Sequence, residues 1–155
     1  MPWEAPEMDQ PATSAARDGK QNGHNVKLFS ASADESVIVA GVLPAEYAGT
    51  ALTLRLHCGA NATTGVARME ASVEAIIPGT TSYNSDSFDT ANTASITIAS
   101  AFRMEVLDIT LTNKDGIAAT NDFRIKILRD GNGSGGTDSL AAELQLHRVE
   151  LFEGS

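Results

Sequence analysis

Residues 50–58 read TALTLRLHC, and this stretch alternates apolar with polar side chains. The apolar side chains share one face of an extended chain: Leu52, Leu54, Leu56 and Cys58. The polar side chains share the other: Thr53, Arg55 and His57. A period of two is typical of a strand with one buried face. These residues therefore predict a half-buried β-strand.

The pattern recurs along most of the chain. Residues 67–77 place Ala67, Met69 and Val73 inward, and residues 59–65 between the two strands suggest a hairpin loop. Six further strands are predicted at 24–30, 36–42, 92–100, 103–112, 122–130 and 139–152. Turns rich in Gly, Asn, Asp and Pro separate them. We predict an all-β fold, an antiparallel two-sheet β-sandwich of about eight strands that is jelly-roll-like.

Two predicted strands change phase. Met104 and Val106 alternate in one register and Leu107 in the other, and a second change occurs across His147 and Arg148. One extra residue in a strand exchanges the faces that its side chains occupy. Each change therefore predicts a β-bulge.

Residues 1–23 have no strand or helix period and contain three of the five prolines. We predict an extended N-terminal arm over 1–23 and a sandwich domain over 24–155. Trp3 is the only tryptophan, and burying its ring against a partner removes a large apolar surface from water. The alternative is a tail that folds back onto its own domain.

Composition excludes several functions. The chain has 155 residues with 11 basic and 20 acidic side chains, for a net charge of −9. Such a charge repels phosphate groups, so nucleic acid and membrane are not expected partners. Residues 1–20 lack the basic and apolar regions of an export signal. The single cysteine, Cys58, continues a core face, so an inert thiol is expected.

One loop partly matches a calcium-binding pattern. Asp130, Asn132, Ser134, Gly135 and Asp138 fall at positions 1, 3, 5, 6 and 9 of an EF-hand-like loop. Position 12 is alanine, and strands flank the loop, so a hairpin loop is favoured over a cation site. The three histidines lie on separate strands without metal-ligand spacing: His24, His57 and His147. No cofactor, metal or catalytic residue is predicted.

Charged residues on two strands suggest a polar surface. Arg55, Arg68, Glu70 and Glu74 are predicted to share a face, as a solvated or intersubunit polar surface. Glu70 and Glu74 are about 13 Å apart along one strand, which is too far for a pair of glycosidase carboxylates. The polar segment 80–92 carries Tyr83 and Phe88, which fit either a sugar-stacking platform or a loop anchored by its aromatics.

Residues 35–152 resemble a β-sandwich of tailed-phage virion proteins, found among capsid decoration proteins and in fibre or tail modules. The resemblance lies in the turn LPAEYAG at 43–49, followed by LTLRL, then LDITLT at 107–112, KDGIAATND at 114–122, FRIKILRD at 123–130 and LQLHRVELF at 144–152. It covers about three quarters of the chain and contains no catalytic signature.

The resemblance implies a non-enzymatic structural protein of the outer capsid surface, made in the host cytoplasm. It would bind the major capsid protein as a homotrimer and stabilise the head. The predicted arm then supplies the capsid contacts: Trp3, Pro6, Met8, Pro11 and Arg17. The alternative is a fibre or tail module that binds host glycan through segment 80–92 or loop 130–138.

Overall fold

The computed structural model describes residues 1–154 and shows an all-β chain. It has ten strands: β1 (Pro2–Glu4), β2 (Arg17–Gln21), β3 (His24–Phe29), β4 (Glu35–Val42), β5 (Leu52–Gly59), β6 (Val66–Ile76), β7 (Asn92–Thr97), β8 (Glu105–Thr110), β9 (Asp122–Arg129) and β10 (Leu144–Glu153). A 3-10 turn spans Ala5–Glu7. Within residues 1–154, no helix is long and apolar enough to cross a membrane.

The strands form two antiparallel sheets. The larger sheet has the order β2-β3-β10-β5-β8, with β1 also paired to β10, and the smaller sheet has the order β4-β9-β6-β7. The inner faces pack one core in which Leu54, Leu56 and Met69 are fully buried. Alternation along each strand supplies one apolar face, and stacking two such faces removes both from water. The predicted sandwich and all eight predicted strands are confirmed.

The prediction of an extended arm over 1–23 is wrong, and the folded-back alternative describes the structure. β1 pairs with β10, and β2 forms a hairpin with β3. Between them, Asp9 exchanges backbone hydrogen bonds with Ile38, and the amide of Ala16 donates to the carbonyl of Ser36. The segment therefore covers the free edge of β4, which otherwise exposes unpaired backbone groups.

Two local predictions also fail, for reasons of topology. Residues 59–65 do not close a hairpin, because β5 pairs with β10 and β8 while β6 pairs with β7 and β9. The loop instead crosses between the sheets. β8 keeps one register against β5, so the phase change at Met104 and Val106 is not a bulge. Both side chains are exposed and point outward.

The other predicted phase change is confirmed. The register of β10 against β5 shifts between Leu146 and Arg148, with His147 as the extra residue. Leu146 and Val149 are both fully buried on either side of it. The shift turns His147 and Arg148 in succession toward the outer face of the larger sheet.

Candidate functional site

A groove lies on the outer face of the larger sheet, between two raised walls. One part has a volume of about 410 Å3 and the adjoining part about 520 Å3, and His24, Met104 and His147 line both. These volumes are in the range of small-molecule sites. The groove is the candidate site.

The β2–β3 hairpin forms the first wall. Residues 24–26 of β3 pair with β2 alone, because β3 contacts β10 only through residues 27–29 and β1 pairs with β10 beyond them. Asn22 and Gly23 close the hairpin with φ of 48° and 81°. A two-residue type I′ turn requires positive φ at both positions. The wall presents Gln21, Asn22 and His24 to the groove.

The loop before β8 forms the second wall, with Phe102, Arg103 and Met104. It lies against β5 so closely that a Cβ on Gly59 would meet the carbonyl oxygen of Arg103 at 2.8 Å. Phe102 has a φ of 56°, and its amide donates to the carbonyl of Ala60 at 2.8 Å. A bulky residue in the left-handed region is strained, and such strain concentrates at functional sites.

The second wall and β8 also carry exposed apolar side chains. Phe102, Met104 and Val106 are 53%, 48% and 51% exposed. Phe102 and Met104 precede β8 and line the groove, and Val106 lies on β8, so the three bring apolar side chains to an otherwise polar outer face. We call these three residues the apolar strip. An exposed strip beside polar groups is typical of a binding surface.

Histidines from three strands line the floor of the groove and the wall formed by the β2–β3 hairpin. The ring centroids of His24 and His147 are 6.2 Å apart, with an interplanar angle of 61°. His57 of β5 lines the adjoining part, and its Nε2 lies 2.9 Å from Oε2 of Glu150. Burial, with a smaller contribution from the charge of His24, lowers the pKa of His147. The imidazole of His147 is therefore neutral at pH 7.

The carboxylates of this face are paired with cations. Nε and Nη2 of Arg55 donate to the two carboxylate oxygens of Asp108, at 2.7 and 2.8 Å, and Arg148 pairs with Glu4 at 2.7 Å. The hydrogen bond from Arg55 lowers the pKa of Asp108, and the hydrogen bond from His57 lowers the pKa of Glu150. Both carboxyls are thus ionised at neutral pH.

The residues predicted to contact a partner from the arm do not form one free surface. Trp3 is only 8% exposed, its ring packs edge-on against Phe123, and its Nε1 donates to the carbonyl of Ala40 at 3.1 Å. Met8 is buried, Pro11 is half-buried and Arg17 pairs with Glu143. Of the five, Pro6 alone is among the residues that line the groove.

The predicted polar face is divided between the two sides of the sandwich. Arg55 lies on the larger sheet, whereas Arg68, Glu70 and Glu74 lie on β6 of the smaller sheet. The crossover at 59–65 causes the separation, since a hairpin would have kept β5 and β6 together. Arg68 pairs with Glu70, and Glu74 is fully buried and pairs with Arg124.

The loop 130–138 is held by arginines. Arg68 and two backbone amides donate to the carboxylate of Asp130. The carboxylate of Asp138 forms a two-point pair with the fully buried Arg129, at 3.0 and 2.8 Å. The two carboxylates of the calcium-like pattern thus neutralise guanidinium groups. In the part of the chain that the structure describes, no three His, Cys, Asp or Glu side chains converge to hold a metal ion.

Two further candidates are placed by the fold. Segment 80–92 extends along the smaller sheet, where Arg124 and Lys126 each lie 5.2 Å from the ring of Phe88. Tyr83 is 82% exposed and lies apart from the groove.

Cys58 is fully buried, and burial raises the pKa of its thiol to about 12, which leaves it protonated.

Sequence reasoning missed the groove because its residues come from separate segments. One signal was present: residues 102–106 carry apolar side chains in the phase opposite to Leu107 and Ile109. A strand with apolar residues on both faces is either covered on both sides or exposes one apolar face. Because the alternation of Met104 and Val106 was interpreted as a β-bulge, the exposed apolar face was not predicted.

Comparisons with known proteins identify the class of fold. The chain is similar in structure to a family 35 carbohydrate binding module from an environmental isolate, with a TM-score of 0.59, 12% sequence identity, and coverage of 99% of this chain and 93% of that one. CBM28, a module specific for non-crystalline cellulose, also matches, with a TM-score of 0.49, 12% identity and coverage of 96% and 89%. No known family and no curated protein matches the sequence.

The structural neighbours are thus carbohydrate-binding modules, and at this identity they show the fold alone. The protein is a jelly-roll β-sandwich.

Proposed function

We propose that this protein is a non-catalytic carbohydrate-binding module whose ligand lies in the groove of the larger sheet. The observation that carries the proposal is the pairing of walls: Phe102 and Met104 on one side face His24 across the groove. A sugar ring has apolar C–H faces and a rim of hydroxyls. An apolar wall opposite hydrogen-bonding side chains is complementary to both.

The polar groups of the groove suit hydroxyl recognition. Asn22, Gln145 and His147 offer donors and acceptors within one lining. Gln145 and His147 lie on β10, in the middle of the larger sheet, so the fold restricts their motion. Placing polar groups on a rigid strand reduces the entropy lost when a ligand binds. The β2–β3 hairpin and the loop with Phe102 then flank the ligand on its two sides.

The carboxylates argue for binding rather than hydrolysis. Glycoside hydrolysis needs a carboxyl group with a raised pKa to protonate the leaving oxygen. The pKa values of Asp108 and Glu150 are lowered instead, through Arg55 and His57. Glu4 pairs with Arg148. The proposal therefore assigns no catalytic residue.

A glycan array tests the proposal. Wild-type protein should bind at least one class of glycan, and Phe102→Asn should reduce that signal by tenfold or more. Tyr83→Ala serves as a matched control, because it removes an exposed aromatic ring outside the groove. Absence of any glycan signal overturns the proposal. Loss of signal in Tyr83→Ala with retention in Phe102→Asn moves the site to segment 80–92.

Capsid decoration remains the hypothesis suggested by the virion resemblance, and a fibre or tail module is the virion setting that fits glycan binding. The structure gives decoration less support, because Trp3 and Met8 are buried in their own domain. Co-sedimentation with undecorated capsids tests decoration, and light scattering tests the expected homotrimer. A monomer that does not pellet with capsids would remove both hypotheses.

A further inference from the structure

Arg103 differs from every other arginine in the chain. Six of the seven form ion pairs with carboxylates: Arg17, Arg55, Arg68, Arg124, Arg129 and Arg148. Arg103 is exposed and has no ion-pair partner among residues 1–154. This is unexpected in a protein with 20 acidic and 11 basic residues, where carboxylates are in excess.

No acidic side chain lines the part of the groove at Arg103, and the nearest acidic residue along the chain is Glu105. The part of the groove that it lines contains no Asp or Glu, and its other titratable side chains are His24 and His147. The acidic residue of the groove, Glu4, lies in the adjoining part and is neutralised by Arg148. The groove therefore has a cationic end at Arg103 and an ion-paired end at Glu4 and Arg148.

We propose that the ligand of this groove is an acidic saccharide, with the carboxylate of a uronic acid residue bound by Arg103. The inference rests on the proposed carbohydrate-binding function and names its ligand class. A guanidinium group presents two parallel N–H donors in one plane, which match the two oxygens of a carboxylate. The position of Arg103 next to Phe102 places the charge beside the ring on which the sugar stacks.

The fold supplies the geometry for this recognition. Close packing of the Arg103 carbonyl on Gly59 fixes the backbone of the wall, so the side chain starts from a defined point. His24 and His147 on the opposite side donate to sugar hydroxyls or to the carboxylate when protonated. The net charge of −9 disfavours anions over the rest of the protein surface, so binding of an acidic ligand depends on this one cationic end of the groove.

Titration calorimetry with matched ligands tests the inference. The probes are oligogalacturonides, alginate oligosaccharides and hyaluronan tetrasaccharide, each compared with its carboxyl-reduced neutral counterpart and with a sulfated galactan oligosaccharide. We expect one acidic probe to bind at least tenfold more tightly than its neutral counterpart. Arg103→Gln should reduce that preference to less than twofold, and Arg103→Lys should leave it intermediate. Arg17→Gln, an exposed arginine outside the groove, is the control and should preserve it.

The outcomes separate the two proposals. Equal or tighter binding of the neutral counterpart overturns the acidic ligand and leaves carbohydrate binding standing. Tighter binding of the sulfated probe overturns the assignment of a carboxylate. A preference that survives Arg103→Gln also overturns the inference. Failure to bind acidic, neutral and sulfated probes, together with a blank glycan array, overturns the carbohydrate function itself.

Discussion

The imidazole rings of His24 and His147 lie 6.2 Å apart, although β3 and β10 are at opposite ends of the chain. The contact exists because β3 pairs with β10 only from Lys27 onward, which leaves residues 24–26 apart from β10, and because His147 is the extra residue at the register shift of β10. Both irregularities open the same place in the larger sheet. The groove therefore forms where β3 and β10 stop pairing with each other.

Phe102 should contribute to binding at a cost to stability. Its φ of 56° is unfavourable for a bulky residue and favourable for Asn. We expect Phe102→Asn to weaken glycan binding at least tenfold while the free energy of unfolding stays the same or rises by up to about 1 kcal/mol. Urea unfolding and titration calorimetry measure the two effects. Phe102→Tyr should retain binding. A large loss of stability in Phe102→Asn would show that the ring supports the fold instead.

Gly59 should control the position of the second wall. A Cβ there meets the backbone oxygen of Arg103 at 2.8 Å, so Gly59→Ala must displace the loop that carries Phe102. We expect weaker binding than in Gly79→Ala, the control, which has open space around it and a φ of 77°. Gly79→Ala should lower stability by about 1 kcal/mol without affecting the affinity. Equal affinities in the two variants would separate Gly59 from the site.

The pH dependence follows from His147, whose pKa is lowered by burial and by His24. At pH values between the lowered pKa of His147 and the ordinary value of 6.5, the unfolded chain binds more protons than the folded chain. The free energy of unfolding therefore has its full value above pH 6.5 and decreases as the pH falls through this range. An acidic sugar favours the protonated ring, so its affinity should rise as pH falls from 7.5 to 5.5. The other titratable or charged side chains facing the site are His24, His57, Glu4, Arg103 and Arg148.

Calorimetric titrations at several pH values measure the affinity, and urea unfolding at the same pH values measures the stability. His147→Gln should flatten the rise in affinity, since its amide does not titrate. An affinity that decreases toward pH 5.5 would contradict the role assigned to His147.

The N-terminal segment should be required for folding. Trp3 packs on Phe123, Met8 is buried, and the segment covers the edge of β4. We expect Trp3→Ala to lower the free energy of unfolding by about 3–5 kcal/mol, measured by urea unfolding. Tyr83→Ala, at an exposed position, should change it by less than about 0.5 kcal/mol. Removal of residues 1–23 should leave an aggregating or unfolded chain, and a well-folded truncated protein would contradict this account.

The buried pair of Arg129 and Asp138 should stabilise loop 130–138. Both side chains are fully buried, and Arg129 also donates to the carbonyls of Leu140 and Ala142. Asp138→Asn leaves a buried guanidinium without its counterion, so we expect a loss of about 3–5 kcal/mol in unfolding experiments. The exposed pair of Arg17 and Glu143 provides the comparison, with an expected loss below about 1 kcal/mol for Glu143→Gln. Similar losses in the two variants would contradict the structural role of the buried pair.

The sequence predicted the strands well because alternation is a local property of each segment. Residues 52–58 and 122–129 show it directly, and both are strands. Partner choice is not local: nothing in residues 59–65 distinguishes a hairpin from a crossover, and that error placed Arg55 and Arg68 on one face. The N-terminal segment was misjudged for a similar reason, since its short strands are stabilised by β10, β3 and the edge of β4 rather than by their own pattern.

The site was harder to predict than the fold. His24, His147 and Arg103 come from three distant segments, and only tertiary structure brings them to one groove. Arg103 has no distinguishing feature in the sequence. Its significance depends on the ion pairs formed by the other six arginines, which require coordinates to identify.

The measurement that tests the central claim most directly is an NMR titration of the isotope-labelled protein with the best ligand from the array. The account predicts chemical-shift changes centred on His24, His147, Phe102 and Arg103, with residues 80–92 and 130–138 unaffected. Changes centred on Tyr83 or on loop 130–138, with the groove unperturbed, would contradict it.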